Sequence, residues 1–413
     1  MPNPKIYLYA EALTNIRQLT LHASLQTEKN EHTKILISSD KNIITALHDG
    51  ESSSIYLPTQ ISGTANVTFP TDKRTEFSVR LQIDDTSQLK GAHDEHGGIE
   101  VPWCASDLSQ KTAIRCKSCN ADIVHSGRVT IWKDLPSDHW AELMDMWFCH
   151  KPHEAHSTED LAARSRGFSA KSKLTATSGI GMVDTVSFLV HGDDCHEIQA
   201  IPSSRKEANI IRCGACTTII GSSQEGEPSV RLHKSRLLVI PDQGQSPQGY
   251  DAVVFLSAQL LTLIESSVSR KVVIYGDNGD ENPPGRDGLL VWVFNPDIYY
   301  SSSKRGPTAH RAMKVFYKAL PDPEEFLDAN SNTHEELRIP EEDFVDFKDT
   351  LRESTGILPK AARAFQDWTV GLLDRWETNA TGSSKMDENP LNKKVEEGFE
   401  VFKLPAGMQE LYL

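Results

Sequence analysis

From Lys5 to about Asp84, apolar and polar positions alternate in short runs: Ile6-Tyr7-Leu8-Tyr9, Leu19-Thr20-Leu21 and Phe77-Ser78-Val79-Arg80-Leu81. Gly, Asn, Asp and Pro separate them. A period of two sends successive side chains to opposite faces, so this third of the chain reads as half-buried antiparallel strands. The polar Gly91 to Gly98 stretch reads as a loop. Pro136-Ser137 opens a predicted helix, with Ser137 as cap. Trp140, Leu143, Met144, Trp147 and Phe148 then recur at i, i+3, i+4, i+7 and i+8 as one apolar face. Lys151 to Ser178 has no period and reads as a surface excursion.

The second half mixes the two periods. Asp251 to about Ser266 is predicted as a helix, and Val272 to Tyr275 and Leu289 to Phe294 as buried strands. Phe344, Phe347 and Leu351 mark a further helix. Ala361, Phe365, Trp368, Leu372 and Trp376 mark another, with Pro359 in its first turn and Gly356 as the stop between the two. Thr378 to Glu397 reads as a polar linker, and Phe399 to Leu413 regains strand character. The expected fold is α+β, largely antiparallel, with peripheral helices. Its regions are 1–110 (β), 111–240 (carrying the Trp-rich helix) and 241–413 (α+β), intertwined as one unit.

Composition narrows the function. With 413 residues, 38% of them hydrophobic and 24% charged, the chain is long enough for a large core under polar loops. A net charge of −15 repels phosphates, so direct nucleic-acid binding is not expected. The longest apolar run, near Ala252 to Ile264, is interrupted by Ser257, Gln259 and Thr262 and is too short to span a bilayer, so no membrane partner is expected. The start, MPNPKIYLYAEALTN, has no secretory-signal pattern. A cytoplasmic or nuclear location is expected, where thiols stay reduced.

Four of the seven cysteines form a repeat: Ile114-Arg115-Cys116-Lys117-Ser118-Cys119 against Ile211-Arg212-Cys213-Gly214-Ala215-Cys216. Two residues between cysteines let a tight turn aim both thiolates at one point. A single knuckle half-coordinates a zinc ion, so two similar knuckles predict one structural four-cysteine site. Separating Cys119 from Cys213 are 93 residues. Closing that loop costs about 4 kcal/mol in chain entropy, against apparent zinc energies of about 10–16 kcal/mol. The competing reading, a buried or redox pair in each CxxC, lacks the helix start that lowers a redox thiol's pKa. Cys149-His150 and Cys195-His196 form an alternative ligand set, and Cys104 reads as a packed or surface thiol. The knuckles resemble the zinc-binding β-tent of Yippee-like and cereblon-type domains, in which two sheets each offer one CxxC.

With the knuckles placed, a longer series comes into register: CKSCNADIV, LPSDHWAELMDMWFCHKPH, IGMVDTVSFLV, IRCGACTTIIG, LHKSRL, LLVWVFNPDIYY and AMKVFYKAL. In that order, over roughly Val101 to Leu320, they resemble the HECT-like ubiquitin-conjugating-enzyme-binding proteins, which are classed as ubiquitin ligases. The resemblance implies partnership with a ubiquitin-conjugating enzyme, ubiquitin and protein substrates. It also implies transfer through a cysteine to a lysine and, for fungal-like members, a connection to messenger-RNA 3′-end processing factors. Zinc ligation would remove Cys213 and Cys216 as nucleophiles, which leaves Cys149 as the family-matched candidate. Cys149 ends a helix, where the dipole raises a thiol's pKa, and no cysteine follows Cys216, unlike the true HECT fold. The competing functions are a non-catalytic zinc-stabilised scaffold and a ligand-binding module with an aromatic cage beside the zinc. Gly179-Ile180-Gly181 is a lone GxG without a phosphate loop.

Overall fold

The computed structural model describes residues 6–13, 16–30, 32–61, 75–83, 99–135, 175–203, 208–242, 244–267, 269–277, 287–330, 333–377 and 399–401. The predicted Trp-rich helix, Cys149-His150, the Gly91 to Gly98 loop, most of the Lys151 to Ser178 excursion and the Thr378 to Glu397 linker lie outside the described residues.

In chain order the first strands are β1 (Ile6–Leu13), β2 (Gln18–Leu25), β3 (Lys34–Ser38), β4 (Ile43–His48), β5 (Glu51–Tyr56) and β6 (Glu76–Gln82). The middle carries β7 (Ala113–Cys116), β8 (Asp122–Val124), β9 (Ile131–Asp134), β10 (Ile180–Val183), β11 (Ser187–His191), β12 (Ile198–Pro202), β13 (Ala208–Cys213), β14 (Ile219–Gln224), β15 (Ser229–His233), β16 (Leu237–Ile240) and α1 (Ala252–Ser266). Then follow β17 (Lys271–Asp277), β18 (Asp287–Ser302), β19 (Gly306–Pro321), α2 (Pro323–Asn330), β20 (Glu335–Pro340), α3 (Glu341–Ile357), β21 (Ala364–Phe365), β22 (Trp368–Asp374) and β23 (Phe399–Val401).

These elements form two compact units. One joins both ends of the chain (Met1–Glu100, Ser269–Gly276 and Gly285–Leu413), and the other is Val101–Val268 with Asp277–Pro284. The first unit holds a nine-stranded sheet with the path β21-β22-β19-β18-β1-β2-β6, and a four-stranded sheet, β23-β3-β4-β5. Strand β1 shows why the alternation is legible. Ile6, Leu8, Ala10 and Ala12 enter one core with Ile44 and Ile55 of the smaller sheet, while Tyr7 and Tyr9 point to the opposite core with Tyr300 and Leu372.

The second unit pairs a seven-stranded sheet, β12-β13-β14-β15-β11-β10-β9, with a three-stranded sheet, β16-β7-β8. Apart from the parallel β9–β10 pair, the registers within these two sheets are antiparallel. The core between them includes Ile114, Phe188, Ile211, Leu232 and Val239, with Phe255 from α1.

The helix predicted through Ala361 to Trp376 is corrected by the structure. A 3₁₀ turn over Lys360–Ala362 leads instead into strands β21 and β22. A spacing of four between Trp368 and Leu372 satisfies both a helix face and a strand face, and pairing decides it: Val370 lies opposite Phe316 and Leu372 opposite Lys314. At Gly371 a Cβ would lie 2.9 Å from Leu351 Cδ2 and 3.2 Å from Tyr317 Cε1, so a side chain here would displace the side chains packed across this strand. Helix α3 itself keeps the predicted Phe344, Phe347 and Leu351 face buried, and runs through Gly356 rather than stopping before it.

Candidate metal centre

Each knuckle begins where a strand ends. Cys116 closes β7, opposite Leu237 of β16, and Cys213 closes β13, opposite Ile198 of β12. The turn that follows is the same in both. The Asn120 N–H donates to the Cys116 carbonyl at 2.8 Å and the Thr217 N–H to the Cys213 carbonyl at 2.9 Å. The Cys116 N–H returns to the Ala121 carbonyl, and the Cys213 N–H to the Thr218 carbonyl, each at 2.9 Å. The residue after each second cysteine adopts a left-handed conformation, φ 62° at both Asn120 and Thr217. The residue after each first cysteine is tied to a neighbouring segment, Lys117 N–H to the Arg236 carbonyl and Gly214 N–H to the Glu197 carbonyl. The sequence repeat is thus a structural repeat, one copy on each sheet of this unit.

The two copies meet head to tail. Cys116 Sγ lies 3.7 Å from Cys216 Sγ, and Cys119 Sγ lies 3.6 Å from Cys213 Sγ. All four sulfurs lie within 4.8 Å of one another, a group that could hold a metal ion. Cys116 and Cys213 are fully buried, while Cys119 is exposed and Cys216 partly so.

The proton affinities of the set are split. The Thr218 side chain, 3.2 Å from Cys216 Sγ, holds that thiol down to about 6. Burial pushes Cys116 up to about 12, although the N–H groups of Cys119 and Ser118 point at its sulfur. Cys216 is thus the more readily ionised member and Cys116 the more reluctant one, and a bound cation would favour the thiolate at both.

The other thiols sit apart from this group. Burial, with the Asp194 carboxylate adding to it, pushes Cys195 up to about 12, and its Sγ faces the His191 carbonyl at 3.8 Å. The neighbouring His196 instead packs its ring on His125, centroids 4.6 Å apart. Cys104 is partly exposed, its Sγ 2.9 Å from Ser106 Oγ and 3.1 Å from Asp107 Oδ2.

The sequence did not reveal whether its tryptophans converge. Trp103 lies 5.0 Å from Tyr250, 5.8 Å from Phe255 and 6.1 Å from Phe188, ring centre to ring centre. Beside these rings is the chain's own Lys234, fully buried, its ammonium 5.4 Å from the Phe188 centre and 5.9 Å from that of Phe255. Its Nζ donates to the Pro102 carbonyl at 3.1 Å. Lys234 sits in the LHKSRL segment, where its neighbours Leu232 and Leu237 were the only signal that so polar a residue would be internal.

Comparisons with known proteins complete the picture. An uncharacterized protein of Schizosaccharomyces pombe is 25% identical over 291 residues, covering 67% of this chain and 78% of its own. An uncharacterized protein of Saccharomyces cerevisiae is 22% identical over 271 residues, covering 65% and 71%. No solved structure matches the chain. Residues 11–370, which include both knuckles, match the family described as HECT-like ubiquitin-conjugating enzyme (E2)-binding, and this supports an E2-binding role in the ubiquitin pathway. The chain therefore belongs to the HECT-like ubiquitin-conjugating-enzyme (E2)-binding family.

Proposed function

We infer that the protein engages a ubiquitin-conjugating enzyme and promotes transfer of ubiquitin to protein lysines, as a ligase or ligase cofactor working in the cytoplasm or nucleus. The family match over residues 11–370 carries this reading. Zinc is the ion we assign to the four-cysteine centre. A tetrahedron with zinc–sulfur bonds of about 2.3 Å has edges of about 3.8 Å, and two sulfur pairs across the knuckles stand at 3.7 and 3.6 Å. Two sheets each offering one knuckle is the β-tent arrangement. The zinc has a structural role, holding the knuckles together. Its chemistry is to replace thiol protons and so tie β7 to β13, while the N–H groups around each turn orient the sulfurs.

The covalent step in this reading falls to Cys149, because zinc ligation occupies Cys116, Cys119, Cys213 and Cys216. Desolvation and the Asp194 carboxylate hold the Cys195 thiol protonated, and the Cys104 Sγ is tied to Ser106 Oγ and Asp107 Oδ2. Oxygen partners rather than a histidine at Cys195 and Cys104 favour a second reading, a scaffold that positions the charged conjugating enzyme without forming an adduct. Messenger-RNA 3′-end processing factors are its candidate cargo.

The experiment supplies fluorescent ubiquitin on a conjugating enzyme to the wild type and to Cys104→Ser, Cys149→Ser and Cys195→Ser. Loss of a reductant-labile adduct in C149S alone, with zinc retained, supports the covalent route. Full transfer and full zinc in all three assign the protein to the scaffold reading. No acceleration of transfer by the wild type overturns the ligase assignment.

A further inference from the structure

The first unit carries a row of aromatic rings that runs from its core to its surface. Phe294 on β18 stacks on Phe316 of β19, centroids 4.6 Å apart and planes 14° apart. Phe316 stacks in turn on Phe365 of β21, at 5.3 Å and 26°. Trp292 meets Phe316 edge-on at 5.3 Å, and Trp368 edge-on at 6.0 Å. The inner members are anchored, with Phe316 5% and Trp368 9% exposed. The outer two are not: Phe294 is 49% exposed and Phe365 45%. Among the described residues these are the two exposed large aromatic side chains, and one ring joins them. Strand β21 ends the path of its sheet, so the row reaches an edge of the sheet.

Stacking alone does not account for this exposure. Each aromatic pair adds only modestly to the effect of its burial, yet two phenylalanines remain half in water. Aromatic side chains anchored at their base and open at their tip are what dominate binding energy at protein interfaces. The ring geometry also selects the kind of partner. Phe316 has a ring on each face, so it offers nucleobases no stacking platform of the kind single-stranded nucleic acid uses. Two lysines lie beside the tryptophans of the row: Lys318 over the Trp368 ring at 4.6 Å, paired with Asp367 at 3.0 Å, and Lys271 over the Trp292 ring at 5.8 Å. The chain's charge of −15 opposes phosphates further. The row suits a folded protein with an apolar contact surface.

We propose that this Phe294–Phe316–Phe365 row is the docking surface for the ubiquitin-conjugating enzyme. The inference rests on the E2-binding reading above, and it locates that contact far along the chain from the cysteine knuckles. The family match ends at residue 370, just beyond Trp368, and so includes every ring of the row.

The test measures binding of the full-length chain to a panel of purified conjugating enzymes by biolayer interferometry. The variants are Phe294→Asp with Phe365→Asp, the milder pair Phe294→Ser with Phe365→Ser, and Ile131→Asp as an exposed apolar control in the other unit. The expected result is at least a tenfold loss for the aspartate pair and a smaller loss for the serine pair. Melting temperature and metal content stay unchanged in both, and I131D binds as wild type. Binding within twofold of wild type in either folded pair, or an equal loss in I131D, overturns the docking surface and leaves the E2 partnership standing. A wild type that binds no enzyme of the panel overturns both. Loss of single-stranded RNA binding in place of enzyme binding overturns the proposal in favour of a nucleic-acid surface. If the aspartate pair alone lowers the melting temperature, the serine pair decides.

Discussion

Cys119 Sγ and Cys213 Sγ stand 3.6 Å apart although 94 positions separate them in the chain. Nothing local brings them together, so an ion held there closes a long loop and stabilises the folded state by its binding free energy. Purified protein is expected to carry about one zinc per chain by mass spectrometry. Cys116→Ser or Cys213→Ser should lose the ion and fold poorly, whereas Cys104→Ser and Cys195→Ser should keep it. Chelation of the wild type should lower the melting temperature.

Gly214 is a second point of control over the same centre. A Cβ there would lie 2.6 Å from the Glu197 carbonyl oxygen, the atom that accepts the Gly214 N–H. Gly214→Ala should cost about 1–3 kcal/mol through overpacking and weaken metal retention in a chelator competition. Lys117, its counterpart in the first knuckle, already carries a side chain, so Lys117→Ala should retain the metal as wild type does.

Thr217 should respond in the opposite direction. It is β-branched and held at φ 62°, a conformation that costs an L-residue about 1–2 kcal/mol and glycine nothing. Thr217→Gly should raise the urea midpoint by the equivalent of about 1 kcal/mol, even with its exposed hydroxyl bond to the Cys216 carbonyl lost. Asn120→Gly should change it less, because asparagine tolerates this region.

Lys234 gives stability a pH dependence of defined sign. Burial lowers its ammonium from 10.5 to about 8. Between those values the unfolded chain binds more protons than the folded one, so unfolding free energy rises with pH. Below about pH 8 both states are protonated and the cost of burying the charge is felt in full. That cost is at most about 3 kcal/mol, offset in part by the two ring contacts. Unfolding in denaturant at pH 7 and pH 10.5 should show wild type gaining on Lys234→Met across this range. A constant difference between the two proteins would mean that folding releases no proton and that the buried lysine keeps the ordinary value of 10.5.

In the other unit, Lys314 Nζ binds both carboxylate oxygens of the buried Glu11, at 2.5 and 2.6 Å, and the Tyr9 hydroxyl donates to the same group at 2.7 Å. Lys314→Met leaves a buried carboxylate without its cation and should cost about 3–5 kcal/mol. Glu11→Leu with Lys314→Met should recover most of that loss in a double-mutant cycle of denaturant unfolding.

Sequence alone determined whatever depends on local period and local turn chemistry. The Ile6-Tyr7-Leu8-Tyr9 run announced β1, and the Phe344, Phe347 and Leu351 spacing announced α3. The I-R-C-x-x-C repeat announced two like turns, because two residues between cysteines admit few backbone paths. Tertiary structure decided where periods are ambiguous or neighbours are distant. Trp368 and Leu372 satisfy helix and strand alike until β19 supplies the pairing and Leu351 packs over Gly371. Lys234 reads as surface until Trp103, Phe188 and Phe255 arrive from three other segments. The stacking of Phe294, Phe316 and Phe365 likewise exists only once β18, β19 and β21 join one sheet, with β22 between the last two. Local pattern carries dihedral angles and faces, and the meeting of faces is a property of the whole chain.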